Sequence, residues 1–124
     1  MERFEELLGT AITQYTPNSI KFCDLSLAAL EHVLAEGYTT VSAAFNSSPS
    51  VDSFIEFGQK CQRYGAIATF DGLALMDRGS PKLVIYAMTV IGVKELDFVG
   101  SFVRFVWGCD EIEINSHLLY AWWD

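Results

Sequence analysis

Apolar residues recur at helical spacing through the first half of the chain and run nearly continuously through the second. Phe4, Leu7, Leu8, Ala11, Ile12 and Tyr15 return every three or four residues, which predicts a helix up to the break at Thr16-Pro17-Asn18. Glu2, Glu5 and Glu6 fall at its start, where carboxylates complement the positive end of the helix dipole. A second helix is expected from Asp24 or Ser26, either able to cap it, to Gly37, with Leu27, Leu30, Val33 and Leu34 on one face. A third runs from Val51 to Tyr64 behind Ser50, with Phe54, Phe57, Gly58 and Cys61 as its stripe and Gly65 as its stop. All three stripes read as core. Between the last two helices, the alternation of Thr39, Val41, Ala43 and Phe45 predicts a strand over Tyr38 to Phe45, followed by a loop to Ser50.

In the second half, Ala66 to Phe70 and Leu73 to Met76 flank Asp71-Gly72. That pair reads either as a two-residue hairpin turn or as a bulge within one longer strand. A turn is expected at Asp77 to Pro81, and Asp71, Asp77 and Asp97 all read as turn aspartates. Leu83 to Ile91, Leu96 to Trp107 and Ile112 to Trp123 then predict three long strands, antiparallel because their connections are short. The expected architecture is one α+β domain over residues 1–124. Three N-terminal helices pack on one face of a mostly antiparallel, curved sheet of four to six strands.

Turns at Gly92 to Glu95 and Cys109-Asp110 would fix the register of those three strands. One face would carry Tyr86, Phe105, Trp107 and Trp122 as core under the helices. The other would carry Ile85, Phe102 and Trp123, with Arg104, Glu113, Asn115 and His117 clustered near one end. A second face this apolar needs a cover. Two covers fit: a second copy, making a homodimer, or a small apolar ligand in a cavity. These seven residues form the expected ligand-binding set. Within it, the His117 imidazole can act as general base, while Arg104 or Asn115 steadies a developing anion. The plainer reading of the same cluster is an Arg104–Glu113 ion pair beside an incidental histidine, and His32 reads as a solvated helix residue.

Composition narrows the function classes. Hydrophobic residues make up 51% of the 124 and aromatic ones 14%, which excludes a disordered chain. Sixteen acidic against eight basic residues give a net charge of −8, unsuited to nucleic acid or an anionic membrane surface; the excess reads first as solubility and, more sharply, as suited to a basic protein partner. Cys23, Cys61 and Cys109 are odd in number and lie outside any metal-ligand spacing, so they read as buried free thiols of a reducing compartment. The start of the chain lacks a signal-peptide pattern and the apolar run Leu83 to Val93 is too short for a span, so a cytoplasmic protein is expected. No phosphate-binding loop, zinc-protease or nucleophile-elbow motif occurs, and neither a metal nor a cofactor is expected.

The predicted order of helix, helix, strand, helix and then several long antiparallel strands resembles the NTF2-like cone fold. That family includes isomerases, epoxide hydrolases and non-catalytic carriers. The resemblance implies a cone-shaped pocket and transfers no catalytic residue, since it is one of element order alone. Three readings stand at this point. The first is a non-enzymatic binding protein using the second sheet face. The second is a cone-fold isomerase or hydrolase with His117 as base. The third is an acidic inhibitor or immunity-type protein.

Overall fold

Residues 2–77 and 80–124 are described by a computed structural model of the protein. Among them, α1 (Glu2–Leu8) runs through a 3-10 turn (Gly9–Ala11) into β1 (Ile12–Tyr15) and β2 (Ser19–Ser26). Next come α2 (Leu27–Ala35), α3 (Val51–Arg63), β3 (Ile67–Asp77), β4 (Ser80–Ile91), α4 (Leu96–Phe105), β5 (Glu111–Ile114) and β6 (Leu118–Trp122). The six strands form one antiparallel sheet in the order β1-β2-β3-β4-β6-β5. The α+β class and the antiparallel sheet are as expected; the number and order of helices are not. No helix of the described residues is long and apolar enough to cross a membrane.

Two helices follow the sequence closely. Ser26 caps α2 by accepting the Ala29 N–H, and Ser50 caps α3 by accepting the Ser53 N–H. Four expectations need correction. The first helix stops at Leu8 because Gly9 takes a left-handed conformation (φ +54°), and Ile12–Tyr15 turns into a strand. Thr16-Pro17-Asn18 is therefore a hairpin turn, closed by the Thr16 N–H donating to the Ser19 carbonyl at 2.8 Å. The stretch Tyr38 to Phe45 is irregular, held to β4 by the Thr39 hydroxyl donating to the Leu83 carbonyl at 2.7 Å. Leu96–Phe105 is a helix, so Phe98, Phe102 and Phe105 follow a helical stripe rather than strand alternation. Finally, Ile112 to Trp123 is a hairpin of two short strands, broken at Asn115.

Asp71-Gly72 lies inside β3, which answers the hairpin-or-bulge alternative in favour of one long strand. The turn expected at Asp77 to Pro81 centres on Arg78 and Gly79, which lie outside the described residues, as does the side chain of Asp77. Asp97 occupies the first turn of α4.

The helices pack on one face of the sheet. Phe54 of α3 meets Phe70 of β3, Phe105 of α4 and Trp123 edge-on, with ring centroids 5.8, 5.6 and 5.5 Å away. Phe57 stacks on Phe105 at 4.5 Å, locking α3 to α4, and Phe4 of α1 stacks on Tyr38 just beyond α2. From the strands this face receives Phe70, Met88, Val90, Leu119 and Ala121, all buried. The opposite face carries Thr69, Asp71, Thr89, Tyr120 and Trp122, half-buried residues that no helix covers among the described residues. The NTF2-like resemblance rested on an element order that this chain does not have: its strands come as three antiparallel hairpins separated by helices.

Candidate functional site

The expected site residues separate into three places. Ile85, Phe102 and Trp123 are at most 1% exposed and belong to the core under the helices, not to a second face. The extra residue in β4 causes part of the exchange. The register shifts between Asp71 and Gly72, so Ile85 pairs with Gly72 and Ala87 with Asp71, and the apolar alternation changes face at Tyr86. Arg104 projects from α4 into solvent, its guanidinium 3.4 Å from the Ser101 hydroxyl, and is no cross-strand neighbour of Glu113.

Only Glu113, Asn115 and His117 come together, at the tip of the β5–β6 hairpin. There the Asn115 side-chain carbonyl accepts the N–H groups of His117 (2.8 Å) and Leu118 (3.0 Å), and its amide donates to Glu113 at 2.7 Å. Asparagine thus builds the turn that pattern reading missed. His117 is exposed and borders a recess of about 80 Å³ walled by Val90, Val93 and Leu118. Such a space holds a few waters; organic-ligand pockets run to about 300 Å³ or more.

A second constellation was not anticipated. Both neighbours of β3 lose register beside Asp71: β2 inserts Cys23 and Asp24 between Phe22 and Leu25, and β4 inserts Tyr86. Asp24 takes a left-handed conformation (φ +57°) and donates its N–H to the Asp71 carboxylate at 2.9 Å, while its own carboxylate accepts from the Thr69 hydroxyl. The Cys23 sulfur and the two carboxylates lie within 4.8 Å of one another. Of the three thiols expected to be buried only Cys61 is; Cys109 is half-buried and Cys23 is exposed at this bulge. Partial desolvation first, and then the Asp71 carboxylate, push the Cys23 thiol up to about 11, so it stays protonated at neutral pH. Burial, and next the charge of Asp71, also push the Tyr86 and Tyr120 hydroxyls upward. Bulges re-aim side chains, and this pair brings Cys23 and Tyr86 toward the Asp71 carboxylate, which Tyr120 of β6 also approaches. The arrangement clasps the sheet.

Along the same open face toward β5, Glu111 stands opposite Trp122 and Glu113 opposite Tyr120. Among the described residues the ion pairs are Arg3–Glu6 (3.4 Å) and Arg3–Glu36 (2.7 Å), which leaves Glu111 and Glu113 without a basic partner. Trp107, expected in the core, is 82% exposed just past α4. It lines an apolar groove with Val103, Val106, Cys109 and Ile112. Sequence reading placed Trp107 and Trp122 as core because it took residues 96–107 for a strand. A helical stripe at Phe98, Phe102 and Phe105, ended by Gly108 (φ +92°), was the available signal. Comparison with protein-family models, curated proteins and solved structures finds no match to this chain.

Proposed function

We propose that the protein is a non-enzymatic recognition module whose open sheet face receives a cationic protein partner. The observation that carries this reading is the alignment of Tyr120 and Trp122 with Glu113 and Glu111, carboxylates that no basic side chain neutralises among the described residues. Aromatic faces attract lysine and arginine cations, and adjacent carboxylates strengthen and steer the encounter. The net charge of −8 acts in the same direction at long range. This is the acidic, inhibitor-like reading of the sequence. The histidine-base reading draws no comparable support from a recess of about 80 Å³ beside His117.

Titration with a lysine- and arginine-rich peptide tests it. Binding at low salt should weaken about tenfold or more at physiological salt, and the double variant Glu111→Lys, Glu113→Lys should lose about tenfold at either salt. Both positions are exposed, so the variant keeps its fold. Affinity indifferent to salt and to this charge reversal would remove the basis of the proposal.

A further inference from the structure

We infer that β5 is a docking edge for an extended partner segment in which basic and apolar residues alternate. The inference rests on the cationic-partner reading and specifies how that partner is held.

β5 ends the sheet, pairing among the described residues with β6 alone. The Asn115 N–H donates to the Leu118 carbonyl at 3.1 Å, which makes that pair a hydrogen-bonded one. Stepping along the antiparallel ladder, Glu113 and Glu111 also bond inward to β6, and Ile114 and Ile112 turn their N–H and C=O groups outward. These outward groups are what an added strand pairs with. The side chains alternate across the same four residues. Ile112 and Ile114, 46% and 47% exposed, lie on the helix side of the sheet, while Glu111 and Glu113 lie on the open side.

The layer beneath extends past the edge. The groove of Val103, Val106, Trp107 and Cys109 continues from Ile112, so a strand laid beside β5 would set every second side chain over it. Its intervening side chains would fall beside Glu111 and Glu113. A partner reading apolar, basic, apolar, basic matches both rows. A second copy of the chain does not, because pairing β5 with β5 would bring four glutamates together on one face. Edge glutamates alone would serve to prevent aggregation, but a protective edge does not explain an indole left 82% exposed beside it.

The test uses the full chain and a blocked hexapeptide of alternating lysine and valine, followed by amide NMR and tryptophan emission. The expected result is slowed hydrogen exchange at the Ile112 and Ile114 amides and a blue shift of the emission. Affinity should be about tenfold weaker for the same composition with its lysines contiguous. Ile112→Pro removes an outward donor without breaking a ladder bond and should weaken binding similarly. N-methylation of the peptide at alternate amides removes the same bonds from the partner side, leaving the protein untouched. Shift changes confined to Tyr120 and Trp122, with Ile112 and Ile114 exchange unaltered, would overturn strand addition and leave the cationic-partner reading standing. Failure of both peptides to bind at low salt would overturn the two together. A β5-mediated dimer in the free protein would overturn the docking edge.

Discussion

Replacing Gly72 with alanine is expected to destabilise the protein by about 3 kcal/mol or more, the upper range for forcing atoms into packed structure. A Cβ at this position would collide with the Val84 carbonyl oxygen and come within 2.7 Å of Phe22 Cζ and 3.0 Å of Ile85 Cα. Two of these obstacles are backbone, fixed by the β3–β4 pairing, and cannot rotate away. The requirement for glycine follows from the bulge at Tyr86, which brings β4 close to β3 at this step. Gly58→Ala supplies the contrast. Its nearest obstacle is a Leu27 methyl at 2.8 Å, the end of a flexible side chain, so the loss should be visibly smaller. Urea denaturation of the two variants checks the difference; an equal effect would mean that the bulge is not rigid.

Truncating Phe54 to alanine should cost about 3–5 kcal/mol, the range for deleting a buried aromatic side chain. Its ring is fully buried and touches the sheet through Phe70, the last residues through Trp123 and α4 through Phe105. One deletion therefore loosens three elements. Against a typical total of about 5–15 kcal/mol, the variant should unfold at a much lower denaturant midpoint, whereas Phe54→Leu should recover part of the loss. A shift under about 1 kcal/mol would contradict the packing described for α3.

These two residues show what was legible in the sequence and what was not. Phe54 could be found because α3 is a long amphipathic helix with a capping serine before it and a glycine after it, so local chemistry and tertiary role agree. Gly72 could be flagged as a bulge, but its necessity depends on Val84, a contact set by strand pairing. Where local pattern and tertiary context diverged, pattern reading failed. Ile12 to Tyr15 continues a helical stripe, yet Gly9 breaks the helix and β2 supplies a pairing partner. Leu96 to Trp107 is apolar at enough positions that strand and helix periods both fit, and packing against α3 selects the helix. The candidate site inherited that second error. Arg104 and Phe102 left the sheet, and only the Glu113–Asn115–His117 group, local in sequence, stayed together. The clasp of Cys23, Asp24 and Asp71 joins residues far apart in the chain through two bulges, which alternation cannot reveal.

The claim on which the functional account depends is that the face bearing Thr69, Thr89, Tyr120 and Trp122 meets solvent rather than a second subunit or an enclosed cavity. A soluble paramagnetic agent added to the isotope-labelled protein tests it directly through the broadening of side-chain resonances. The account predicts strong broadening at Thr69, Thr89 and Trp122 and none at Phe70, Met88 or Trp123. Protection of the first group at a level equal to the second would contradict it.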